Sequence, residues 1–172
     1  MMLEIALDAD EEWDSSSGRP IVWEDLVRTA TEAAIAESAF PQLAASPRLI
    51  EVSIRLTGDD EVRALNAKWR GKDQPTNVLS FPMLDQHELA NATIAGPEIL
   101  LGDIVLALGV CEIEAAQKDV SIEEHATHLL VHGTLHLLGY DHHDDEQAAD
   151  MEGREARALE RLGIANPYEV AA

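Results

Sequence analysis

A chain of 172 residues with one cysteine, Cys111, excludes an internal disulfide framework and has the length for one ordinary hydrophobic core. Its formal charge of −21, taken alone, argues against a general nucleic-acid binder, because phosphate binding needs clustered Lys and Arg. No apolar run approaches 18 residues, and the start MMLEIALDADEEW lacks the basic and apolar parts of a signal peptide, so a soluble cytoplasmic protein of one domain (1–172) with no membrane contact is expected.

In chain order, a short strand is expected at 3–8 and a loop at 10–20. A helix follows from Val22 to about Ala39, where Leu26, Ala30, Ala33, Ala34 and Ile35 recur at spacings of three and four, and Phe40-Pro41 ends it. LIEVSIRLTG (49–58) alternates apolar and polar residues and predicts a strand. A helix over about 59–69 ends at Gly71, a short strand with Pro82 at its end covers 77–81, and 84–98 is expected to be a loop. LLGDIVLAL (100–108) predicts another strand, and GVCEIEAAQKDV begins a helix in which Cys111 is a packed thiol. Ser121 and Glu124 form a capping-box pattern at the start of a helix over 122–138, with Gly139 placed to end it. A last amphipathic helix over 144–163 turns Met151, Ala158, Leu159 and Leu162 inward. The fold class is therefore α/β (α+β), with a mixed, roughly four-stranded sheet and four to five helices.

Chemistry concentrates in HGTLHLLGYDHH (132–143). His132 and His136 are four apart, so they share one helix face and both rings reach one ion. Gly139 lets the chain turn back and bring His142 to the same ion. Three imidazoles with one open position describe a catalytic zinc site on a zincin-like helix rather than a closed structural site. His143 competes with His142, but the spacing after Gly139 favours His142. His125 and His128 could sit behind the ligands or face substrate, but are read first as ordinary partly buried histidines, and His87 carries no signal. Asp141 could orient a ligand, accept a proton or cap the last helix, with the structural role placed first. Where a zinc protease carries its glutamate base, this chain has Gly133. That disfavours peptide hydrolysis and favours a phosphodiester, whose main demand is charge stabilisation.

The second dense stretch is NAKWRGKDQPTNVLSFP (66–82). Arg48, Arg55, Arg63, Lys68, Arg70 and Lys72 are half of the twelve basic residues and lie within 25 positions, so a local positive face is open to an acidic protein. Arg70 suits bidentate phosphate contact, or is a surface arginine at a helix end; Asn77 and Ser80 could bind substrate, cap the turn or hold the backbone.

HGTLHLLGYDHH, WRGKDQPTNVLSFP and LLGDIVLAL, in the same order over roughly 50–143, resemble the YbeY family of bacterial rRNA maturation factors, and the GIANPY ending is also similar. The resemblance implies a single-strand-specific endoribonuclease with one zinc ion on His132, His136 and His142, and an essential arginine at Arg70. It implies roles in 16S rRNA 3′-end maturation, ribosome quality control and small-subunit assembly, with single-stranded RNA and the small subunit and its proteins as partners. The reading taken into the structure makes Arg70 and His136 catalytic, and Arg70, Lys72, Asn77 and Ser80 substrate-binding, in a chain expected to be monomeric. The alternatives are a zinc hydrolase of peptides or amides, and a non-catalytic assembly factor that zinc only stabilises.

Overall fold

The computed structural model describes residues 3–18, 20–92, 94 and 96–169. Four strands, β1 (Leu3–Ala9), β2 (Ile50–Thr57), β3 (Val78–Pro82) and β4 (Ile99–Ala107), form one mixed sheet in the order β1-β2-β4-β3. β1, β2 and β4 run parallel, and β3 is antiparallel to β4 at the sheet edge. The helices are α1 (Glu11–Asp14), α2 (Trp23–Glu37), α3 (Asp59–Arg70), α4 (Gln86–Ala90), α5 (Leu108–Lys118), α6 (Ile122–Leu137) and α7 (Asp145–Arg161), with a 3₁₀ turn at Pro41–Ala45.

The mixed four-stranded sheet is the one expected, but the described residues hold seven helices rather than four or five. The additional ones lie in segments read as loops. α1 is a single turn whose Trp13 is fully buried and donates its indole N–H to the Thr57 carbonyl at 2.9 Å. Trp23 donates to the Trp13 carbonyl, and the two rings meet edge-on at 5.2 Å. α4 begins with a full capping box in which Asp85 and Glu88 each accept from the other's backbone N–H. At α6, by contrast, only one half of that pattern is present: Ser121 Oγ accepts from the Glu124 N–H.

The period-two pattern of β2 sends Ile50, Val52, Ile54 and Leu56 into the main core. α2 and α6 cover that face, with α7 packed outside them. α3 lies on the opposite face, where Val62 joins Leu79, Val105 and Ala107 in a smaller apolar cluster. β4 bulges opposite the Glu51–Val52 step, so Leu100 faces Glu51 and Gly102 faces Val52. Gly102 has φ +142°, and a Cβ there would lie 2.2 Å from the Phe81 carbonyl oxygen and 2.9 Å from Leu137 Cδ2. Gly102→Ala is therefore expected to cost about 3–5 kcal/mol, combining backbone strain with overpacking. Gly18→Ala, where nothing lies within 4 Å, is the near-neutral control in the same urea titration. No helix is long and apolar enough to cross a membrane among the described residues.

Candidate metal centre

α6 presents His132 and His136 one turn apart, with their Nε2 atoms 3.0 Å from each other. Gly139 follows with φ +95°, donates its N–H to the His136 carbonyl at 3.0 Å and turns the chain back. The return places the His142 ring 5.9 Å from that of His132 and 5.3 Å from that of His136. One ring nitrogen from each of the three histidines lies within 4.8 Å of the others, a grouping that could hold a metal ion.

The second nitrogens test whether these residues fit a metal. His136 Nδ1 faces the Tyr140 carbonyl at 2.8 Å, and His132 Nδ1 faces the Glu155 carboxylate. Carbonyl and carboxylate oxygens only accept, so both Nδ1 atoms carry the hydrogen. With both rings neutral, as metal ligands must be, each Nε2 presents a lone pair to the other across 3.0 Å, an arrangement that a cation between them would satisfy. Tetrahedral ligands about 2.0–2.1 Å from zinc stand roughly 3.3 Å apart, close to this separation. Burial, and then the neighbouring His132, hold the His136 pKa below its ordinary value, which keeps the ring neutral as a ligand must be. The donor set fits zinc with one coordination position left for a reactant.

The triad opens into a cleft of about 860 Å³ whose walls also include Arg70, Lys72, Asn77, Ser80, Tyr140 and Asp141. Arg70 belongs to the helix on the far face of the sheet and reaches over the edge strand. Its guanidinium donates to the Ser80 carbonyl at 2.7 Å and lies 5.4 Å from the Phe81 ring centroid. Only one of its five N–H donors is engaged among the described residues. Most of the basic cluster upstream is neutralised: Arg55 pairs with Asp8, Asp10 and Glu61, and Arg63 with Asp73. Arg48 donates to the Pro97 carbonyl. Lys68, Arg70 and Lys72, like Arg48, have no carboxylate partner among the described residues, and of these Arg70 and Lys72 line the cleft.

All residues named from the sequence as site candidates line this one cleft. Their contacts differ. The Asn77 side chain is engaged in holding the strand, donating to Glu114 at 3.0 Å and accepting from the Val78 N–H at 2.7 Å. Lys72 has no ion pair among the described residues, and Ser80 gives its backbone carbonyl to Arg70. Asp141 accepts from the His142 N–H and pairs with exposed His143, while the cap of α7 is Asp144. Cys111 is buried, and burial pushes its thiol pKa well above the ordinary range, which leaves it packed and unreactive.

The structure gives Gly133, His125 and His128 their surroundings and adds one residue. Gly133 faces the sheet: a Cβ there would lie 3.1 Å from Ile104 Cγ2, so the position admits a close helix–strand contact and has no room for a glutamate. His125 and His128 are buried and specifically partnered, with Glu114 at 2.8 Å and Glu155 at 3.4 Å. Glu155 itself was missed. It is fully buried on α7, in the stripe of Met151, Ala158 and Leu159, and an acid inside an apolar stripe is the signal that would have found it. Burial pushes its carboxyl pKa up, but hydrogen bonds from His128, His132 and Tyr168 outweigh this and hold it at about 2.

Fold and site together define an α/β protein with a helix-borne histidine triad, fit for a metal, at one wall of a cleft flanked by basic residues. Over residues 12–163 the chain matches the family described as Endoribonuclease YbeY, and it belongs to that family. It is 49% identical over 170 residues to an Endoribonuclease YbeY of Rhizorhabdus wittichii, covering 98% of both chains. It is 51% identical over 168 residues to that of Novosphingobium aromaticivorans, covering 96% of both. The solution structure of TM1509 from Thermotoga maritima shares the fold, with a TM-score of 0.53 at 20% identity over 97% of this chain and 100% of that one.

Proposed function

We propose that this chain is a zinc-dependent endoribonuclease of single-stranded RNA, acting in 16S rRNA 3′-end maturation, small-subunit assembly and ribosome quality control. The observation that carries the reading is the opening of the histidine triad into the cleft that Arg70 lines. His132, His136 and His142 would hold one zinc ion, which supplies Lewis-acid polarisation and an activated nucleophile to a bound phosphodiester. Arg70 offers a planar fork of donors to the phosphate oxygens, and the Ser80 carbonyl and Phe81 ring fix where that fork points. Lys72 adds a second positive charge along the strand's path. Asn77, tied to Glu114, sets the backbone of the cleft wall and leaves Ser80 to meet substrate directly. The Tyr140 carbonyl and Glu155 keep the hydrogen on the Nδ1 atoms and the lone pairs on Nε2. The small subunit and its proteins are the proposed partners, the cytoplasm the proposed compartment, and a monomeric single domain the proposed form. Peptide hydrolysis is disfavoured because Ile104 occupies the space a glutamate base would need beside His132.

Chelation is the direct test. Removing metal from the full-length protein is expected to lower cleavage of a labelled single-stranded RNA at least about 100-fold, and zinc is expected to restore it. A matched RNA duplex and a peptide panel should stay intact. Cleavage that survives metal removal, or peptide cleavage without RNA cleavage, overturns the proposal. The product ends identify the nucleophile: a 2′,3′-cyclic phosphate sinks the water route in favour of the RNA's own 2′-hydroxyl.

A further inference from the structure

Behind the triad lies a buried carboxylate with no lysine or arginine beside it among the described residues. The Glu155 side chain is 0% exposed. One oxygen accepts from His132 Nδ1, and the other accepts from the Tyr168 hydroxyl and lies 3.4 Å from His128 Nε2. His128 Nε2 is also 3.2 Å from the Tyr168 hydroxyl, and the two rings meet edge-on at 5.6 Å. No lysine or arginine pairs with Glu155 among the described residues. A buried carboxylate held by hydrogen bonds, with no lysine or arginine beside it, gains from a cation placed nearby. A cation held at the ligand nitrogen would face it across the His132 ring.

Tyr168 comes from the segment after α7. The chain turns at Gly163, Ile164 donates its N–H to the Leu159 carbonyl, and the Tyr168 N–H donates to Asn166 Oδ1 at 2.9 Å. This turn lays the ring on His128 and the hydroxyl on Glu155, although 41% of the residue remains exposed.

We infer that the C-terminal segment is part of the metal centre: Tyr168 fixes Glu155, and Glu155 fixes the His132 ring and supplies the negative charge that balances the bound ion. This rests on the proposal that the triad holds zinc. Both are positioning residues, since neither touches metal or substrate. A carboxylate behind a ligand imidazole raises its basicity and sets its orientation. Tyr168 extends that support to a segment whose hold is partly at the surface.

The test uses the full-length wild type, Glu155→Gln and Tyr168→Phe. The readouts are zinc affinity by competition with a chelating dye, the visible spectrum of the Co²⁺-loaded protein, and melting of the metal-free protein. Glu155→Gln is expected to bind zinc about 10–100-fold more weakly and to change the Co²⁺ spectrum. Tyr168→Phe, which removes one hydroxyl from a part-exposed ring, is expected to weaken zinc at least about threefold in the folded protein, with only a modest drop in the metal-free melting temperature. A purely structural role would instead lower metal-free stability and leave the affinity of the folded protein intact. Wild-type zinc affinity in Tyr168→Phe overturns the tail's part, and wild-type affinity in Glu155→Gln overturns the whole inference. A wild type that binds no zinc overturns the metal centre itself, which separates the two failures.

Discussion

His136→Ala is expected to leave a folded protein that holds no zinc and cuts single-stranded RNA at least about 1,000-fold more slowly. The ring is one of two that α6 sets 3.0 Å apart, Nε2 to Nε2, and its loss leaves one helix-borne ligand and one loop ligand. Two imidazoles do not complete a zinc site. The structural cost is small by comparison. The Tyr140 carbonyl loses its 2.8 Å partner, worth about 1–2 kcal/mol, and the ring borders an open cleft that water can fill. Metal content by mass spectrometry, thermal melting and RNA cleavage read the three effects separately. A folded, metal-free variant that still cuts RNA at the wild-type rate removes zinc from the reaction.

Arg70→Ala is expected to lower RNA cleavage about 100–1,000-fold with zinc content unchanged. This splits the site into its two halves, because Arg70 reaches the cleft from α3 and has no hydrogen bond to a histidine among the described residues. Arg70→Lys should recover only a minor part. An ammonium keeps the charge but lacks the planar fork that can hold the Ser80 carbonyl and present further donors to a phosphate. Equal activity of the lysine variant and wild type would reduce Arg70 to a point charge, and full activity of the alanine variant would remove it from the reaction. Measuring kcat and KM separately tells whether the contact belongs to the ground state or to the transition state.

Long elements with a strong period were legible in the chain. β2 alternates over eight residues and α6 carries its cap and its terminal glycine in sequence, so their ends fall within a residue or so of expectation. α1 and α4 were not legible because helices of four and five residues are too short to show a period. What holds α1 is the burial of Trp13 against β2, a long-range contact. The grouping of the histidines followed from local spacing, since helix geometry and one turn bring them together. Glu155 did not, because its meeting with His132 depends on how α7 packs on α6. Gly133 shows the limit of motif comparison: an absence that reads as missing chemistry is, in three dimensions, the contact distance between a helix and Ile104.

The three uncompensated basic residues at the end of α3 have a further consequence for a chain of charge −21. Beyond about one Debye length, roughly 8 Å at physiological salt, a polyanion meets screened repulsion from most directions. Local attraction is available within reach of Lys68, Arg70 and Lys72. The acidic body thus works as an orientation filter. On the proposed function it would slow casual capture of free RNA and favour a strand already held close to the cleft. Selectivity on this account begins before any base is touched, in the choice of which strands are brought near enough to be drawn in.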